Sequence, residues 1–236
     1  MIRFSNIHKK FDKFEVLKGI DLEFSEGNII GLLGPNASGK TTLIKTLLGM
    51  VVPTSGDISF KGKSIINNWD YRKHIGYMPQ IGRYPENMTI GQVFGMIEDL
   101  RTKDKEPDKD LYKSYKLGEL LNKRMGTLSG GTRQKVSAYL AFLFDPEVLV
   151  LDEPTAGLDP LSSLILKEKI LKEKEKGKLI IISSHILSEL DDVVNQIVYL
   201  EEGKIIVDKP IEQLKAETQK NKLSEAIAVL MSNSNQ

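Results

Sequence analysis

The chain has 236 residues, 40% hydrophobic and 28% charged, and a net charge of +1. This is ordinary for a globular protein with a substantial core, and it supplies no field that would draw nucleic acid or an anionic membrane. The lack of cysteine excludes disulfides, thiol catalysis and cysteinyl metal sites, and no apolar run reaches the roughly 18 to 20 residues of a membrane span. The start, Met1-Ile2-Arg3-Phe4-Ser5-Asn6, lacks the apolar centre of a signal peptide, so a cytosolic chain is expected.

Taken in chain order, residues 1–30 alternate as half-buried strands do, with Ile20, Leu22 and Phe24 on one side and Asp21, Glu23 and Ser25 on the other. A hairpin is predicted around 57–63. Three stretches, 29–33, 148–151 and 179–182, are short, almost wholly apolar and rich in branched residues, as central strands covered on both faces are. Each is flanked by helical patterns, which predicts a parallel sheet with crossover helices. Residues 72–78 read as a fourth strand. Helices are predicted over 91–100, 111–121, 130–144 and 164–178, with the charged run 101–110 as a solvated loop. After residue 208 come two short helices and a polar tail, 232–236, expected to be disordered.

Gly34-Pro35-Asn36-Ala37-Ser38-Gly39-Lys40-Thr41 lies between the first apolar strand and a helix, the context in which a G-x-x-x-x-G-K-T turn binds phosphate. Backbone N–H groups and the helix dipole there favour an anion. Lys40 would reach the β- and γ-phosphates, and the Thr41 hydroxyl would help hold Mg²⁺. Ligands bind beyond the carboxyl ends of the strands in open α/β sheets. The other strand ends deliver Asp152-Glu153, Ser183-Ser184-His185 and Gln80 to that rim. Two adjacent carboxylates repel unless a cation or a separate hydrogen-bond network sits by them; with Mg²⁺ on the nucleotide as the cation, Asp152 is assigned to the metal and Glu153 to a water in line with the γ-phosphate. His185 would donate to a γ-phosphate oxygen. Leu128-Ser129-Gly130-Gly131-Thr132 opens another helix and makes a second anion-seeking start. One nucleotide hardly needs both, whereas a two-fold dimer would use each.

Together these residues resemble an ATP-binding-cassette (ABC) ATPase over essentially the whole chain. Gly34 to Thr42 is similar to the Walker A motif, Gln80 to the Q-loop, residues 128–132 to the signature, 148–153 to Walker B, 156–159 to the D-loop and His185 to the switch histidine. The resemblance implies an α/β fold: a P-loop NTPase, RecA-like core with an N-terminal antiparallel β subdomain and an inserted α-helical subdomain. Core and β region would occupy 1–84 and 145–207, the helical subdomain 85–144, and C-terminal helices 208–236. It implies that ATP is bound by Phe11, Gly34, Asn36, Ala37, Ser38, Gly39, Lys40, Thr41, Thr42, Ser129, Gly130, Gly131 and Asp159. Mg²⁺ would be held by Thr41, Gln80 and Asp152, and Glu153, His185 and Gln80 would be catalytic. Phe11 falls where the family stacks an aromatic on adenine. Ala37 stands where glycine is usual, and Thr132 where glutamine is; if position 37 needs positive φ, alanine costs about 1 kcal/mol there.

The family implies a pair of cassettes, as a homodimer or with a second ATPase, closing on two ATP molecules and driving separate transmembrane permease subunits, without nucleic acid. The chain would then be peripheral on the cytoplasmic face of the membrane. A groove near residues 80–93, with Ile81, Tyr84 and Met88, would receive a partner helix. The C-terminal end, through 223–231, is similar to cassettes serving exporter or drug-resistance systems and is too short for an added regulatory domain. Residues 75–87 also look like the cassette of the nitrous-oxide-reductase copper-maturation transporter. The alternative is a soluble ABC ATPase with a non-transport role such as Fe–S cluster assembly.

Overall fold

The computed structural model describes residues 1–100, 106–185 and 190–234, with side chains through Val229. The chain opens with a hairpin, β1 (Ile2–Phe11) and β2 (Phe14–Phe24). It continues through β3 (Ile29–Leu33), α1 (Lys40–Leu47), β4 (Ser55–Phe60), the short β5 (Lys63–Ser64) and β6 (Ile75–Met78). A helical stretch follows, with α2 (Ile90–Asp99), α3 (Asp110–Ser114) and α4 (Gly130–Phe142). Then come β7 (Val148–Asp152), α5 (Pro160–Glu175), β8 (Leu179–Ser183), β9 (Gln196–Glu201), β10 (Lys204–Pro210), α6 (Ile211–Thr218) and α7 (Leu223–Ser234).

Two sheets result. One is antiparallel, in the order β2-β1-β4-β5; the other runs β10-β9-β3-β8-β7-β6 and is parallel except for its β9–β10 edge. The second explains the unbroken apolar runs, because β3, β7 and β8 are buried at every position. Alternate side chains serve two cores. Ile29, Leu33, Leu149, Leu151, Ile180 and Ile182 face the cluster that includes α2, α4 and α5. Ile30, Leu32, Val148, Val150, Leu179 and Ile181 face α1 and the antiparallel sheet. Fully burying one such side chain is worth about 1.5 to 3 kcal/mol, so a one-residue slip in register would invert both faces at once.

Helix starts follow local chemistry. Thr89 and Gln92 form a capping box at α2, Ser129 caps α4, and Asp159 caps α5 with Pro160 at its first turn. Several expectations need correction. The strand predicted over 72–78 is a 3₁₀ turn at Asp70–His74 followed by β6. The helix predicted over 111–121 ends at Ser114, because Lys116 is left-handed at φ 51° and a separate 3₁₀ turn follows at Leu117–Leu120. Tyr115 hydrogen-bonds the Ser162 carbonyl at 3.0 Å and Leu117 is fully buried, so tertiary contacts override helical periodicity there. On α5, Ile170 is buried but Leu164 is exposed. α7 extends into the predicted tail as far as Ser234, and 235–236 lie outside the described residues, as does 101–105 of the charged loop.

Candidate nucleotide site

β3 ends at Leu33 and the chain turns through three left-handed residues, Gly34 (φ 145°), Ala37 (φ 63°) and Gly39 (φ 111°), before α1 begins at Lys40. A Cβ on Gly34 would come within 2.0 Å of the Leu200 carbonyl oxygen, so that position admits only glycine. Ala37 does adopt the positive φ that costs alanine about 1 kcal/mol. Lys40 is buried and folds back on the loop, donating to the carbonyls of Gly34 at 2.7 Å and Pro35 at 2.9 Å. Burial pushes its pKa down, against the pull of Glu153 and Asp152. Asn36, Thr41 and Thr42 lie along the same turn and the first turn of α1, with Asn36 and Thr41 exposed.

Ser38 in this loop is buried, and its Oγ has no hydrogen-bond partner among the described residues. An orphaned buried hydroxyl is costly unless a ligand completes it. A hydroxyl and a lysine ammonium meeting in one loop of left-handed turns fit a phosphate oxygen.

The strands β6, β7 and β8 end in register, Met78 beside Leu151 and Asp152 beside Ser183, so their trailing residues converge. Asp152 is buried, which raises its carboxyl pKa, while a hydrogen bond from the Ser183 hydroxyl to Oδ1 opposes that shift. Glu153 takes a left-handed backbone, φ 48°, with its N–H directed at the Ser183 carbonyl (3.1 Å) and hydroxyl (3.2 Å). Gln80 Nε2 donates to Glu153 Oε2 at 3.0 Å, and His185 Nδ1 lies 2.9 Å from Oε1. The rim thus brings Gln80, Asp152, Glu153 and His185 together, with Lys40 near enough to feel both carboxylates. The carboxylate of Asp152 and the amide oxygen of Gln80, both on the rim, and the Thr41 hydroxyl at the start of α1 are all oxygen donors, the chemistry that suits Mg²⁺.

The signature residues lie elsewhere. Ser129 Oγ is 2.9 Å from the Thr132 hydroxyl and accepts the Thr132 N–H at 3.2 Å; no bond joins it to Lys40, Asp152 or Glu153 among the described residues. Gly131 packs against the backbone of Gly157, where a Cβ would come within 2.7 Å of the carbonyl oxygen. Asp159 caps Ser162 and pairs with Lys135 at 2.9 Å within this chain, and Lys135 first, then Ser162, depress its pKa. Phe11 stands at the β1–β2 turn, about half exposed, with Lys9 Nζ 4.8 Å from its ring centre. On the same hairpin, Val16 and Leu17 pack where a Gly39 Cβ would point. Sequence reasoning missed Lys135, and it placed Ser183 on the rim without its partner. The register of β7 against β8 is what pairs Ser183 with Asp152, and no spacing within the sequence reveals it.

Comparison with known proteins gives an independent reading. The family model described as ABC transporter matches residues 17–156. The chain is 32% identical over 219 residues to ABC transporter ATP-binding protein YhaQ of Bacillus subtilis (strain 168), covering 91% of this chain and 73% of that protein. It is 33% identical over 215 residues to Nod factor export ATP-binding protein I of Burkholderia lata, covering 88% and 70%. A solved ATP binding subunit of an ABC transporter superposes with a TM-score of 0.89 at 24% identity, over 98% of this chain and 99% of that one, which supports the fold. With the P-loop, rim carboxylates and helical segment in place, the chain belongs to the ABC transporter family and is one of its ATPases.

Proposed function

We propose that this ATPase is the motor subunit of an exporter-type ABC transporter, working as a pair of cassettes on the cytoplasmic face of the membrane beneath separate permease subunits. The observation that carries the ATPase part is the grip on Glu153 by Gln80 and His185, beside a P-loop whose Ser38 hydroxyl lacks a partner. Lys40 exchanges its own loop carbonyls for phosphate oxygens when ATP binds, and Glu153 accepts a proton from the attacking water. His185 and Gln80 hold Glu153 and donate toward the γ-phosphate side. Asp152, Thr41 and Gln80 would hold magnesium, which when bound neutralises charge between the β- and γ-phosphates.

Pairing is supported by Ser129 and Gly130, which are exposed at the start of α4 and unconnected to their own chain's P-loop. Among the described residues no helix is long and apolar enough to cross a membrane. Of the three groove residues, Ile81 is 64% exposed, while Tyr84 bonds Ser137 at 3.0 Å and Met88 packs on the core; Ile81 is therefore the contact available to a permease helix. Export is supported by the name of the Burkholderia relative. The finer assignment to copper-site maturation of nitrous-oxide reductase rests on residues 75–87 alone. Purification of the tagged chain from membranes tests the reading: an integral membrane protein should co-purify and stimulate ATP turnover. Recovery with a cytosolic Fe–S scaffold instead would replace it.

A further inference from the structure

The hydroxyl of Ser183 is fully buried at the end of β8, after four apolar residues. A buried hydroxyl in such a strand is costly unless both its donor and acceptor roles are used. Here both are. It donates to Asp152 Oδ1 and accepts the Glu153 N–H at 3.2 Å, while the Ser183 carbonyl accepts the same N–H at 3.1 Å. Asp152 is itself 5% exposed, and Ser183 is its side-chain hydrogen-bond donor among the described residues. A carboxylate held by one oxygen can turn only about that contact.

We infer that Ser183 is a positioning residue: its hydroxyl locks the Asp152 carboxylate and the left-handed Glu153 backbone into one fixed relative geometry. This rests on the reading above that Asp152 serves a nucleotide-bound magnesium. Oδ1 is committed to Ser183, so the opposite oxygen is the one presented to the metal. The carbonyl contact at Glu153 remains if the hydroxyl is removed, so the local backbone should survive and the loss should fall on Asp152. Removing such an outer partner of a metal ligand typically weakens metal affinity by about 10- to 100-fold.

The test is binding of a fluorescent ATP analogue, with EDTA and across a Mg²⁺ titration, in wild type, Ser183→Ala and Ser183→Thr. Metal-free nucleotide affinity should stay within about two-fold in all three. The Mg²⁺ concentration at half effect should rise about 10-fold or more in Ser183→Ala, with kcat falling while KM for ATP at saturating Mg²⁺ holds. Ser183→Thr, which keeps the hydroxyl, should restore most of the response. Where Ser183→Ala does not fold, Ser183→Cys, close in volume but a weak donor, carries the same expectation. A wild-type Mg²⁺ titration in the folded alanine or cysteine variant overturns the inference, as does a folded threonine variant impaired as severely as alanine. Wild-type nucleotide binding indifferent to Mg²⁺ would instead overturn the magnesium reading beneath it.

Discussion

Glu153 sits at φ 48°, an unusual backbone for a residue with a long side chain, and its carboxylate is met on one oxygen by Gln80 and on the other by His185. Glu153→Gln keeps this shape and removes the proton acceptor. ATP turnover should fall at least about 100-fold while ATP binding persists, and near-normal turnover in a phosphate-release assay would remove Glu153 from its role. Lys40 has the opposite dependence, because its ammonium contacts the loop proposed to hold phosphate. Lys40→Ala should weaken ATP affinity itself, measured by titration calorimetry, and an unchanged affinity would contradict the phosphate-loop assignment. Ala37 shows how the loop tolerates a departure from glycine. Its strain of about 1 kcal/mol is offset only in part by the smaller entropy that alanine loses from the unfolded chain.

At the scale of elements, α5 is tied to its surroundings by charge as much as by its short apolar stripe. Lys169, 3% exposed, bonds Asp108 at 2.5 Å, Asp110 at 2.8 Å and Glu173 at 2.9 Å. Glu173, 1% exposed, also meets Lys176 and Lys178, and Lys178 reaches Asp145 just beyond α4. The network therefore joins α5 to the segments before α3 and after α4. Burial alone would raise the Glu173 pKa, but the bonds from Lys176, Lys178 and Lys169 outweigh it and bring it down from 4.5 to about 2. A folded-state pKa below the unfolded one contributes stability that is complete above about pH 4.5 and is lost as pH falls toward about 2. Glu173→Gln leaves two buried lysines short of a partner and should cost about 3 kcal/mol at pH 7. Thermal melts should show a drop of roughly 6 to 12 °C at neutral pH that narrows below pH 4. A difference that stays constant down to pH 3 would show that the charge is not what stabilises α5.

For the molecule as a whole, the exposed start of α4 and the P-loop of the same chain are separate, which makes a second cassette the natural complement. Glu153→Gln with ATP should elute as a dimer in size exclusion and revert to monomer when nucleotide is removed. Adding Ser129→Arg to that variant should leave ATP binding intact and abolish the dimer. A persistent dimer in the double variant would sink the shared-site arrangement.

The phosphate loop, the acidic pair after 148–151 and the three buried strands were legible in the sequence because each depends on local order: a turn of fixed length, an unbroken apolar run, a polar residue where the run stops. Residues 111–121 misled because their periodicity is helical while Tyr115 and Leu117 are drawn into contacts with α5 and the core. The pairing of Asp159 with a lysine on another helix was likewise not legible, because it depends on how α4 packs beside α5. Ser183, Lys135 and the α5 charge network depend on strand register and helix packing, which join residues far apart in the chain. Local chemistry thus determined what the rim contains, and only the packed sheet decided which side chains hold one another there, since hydrogen bonds act over about 3 Å in space, whatever the separation along the chain.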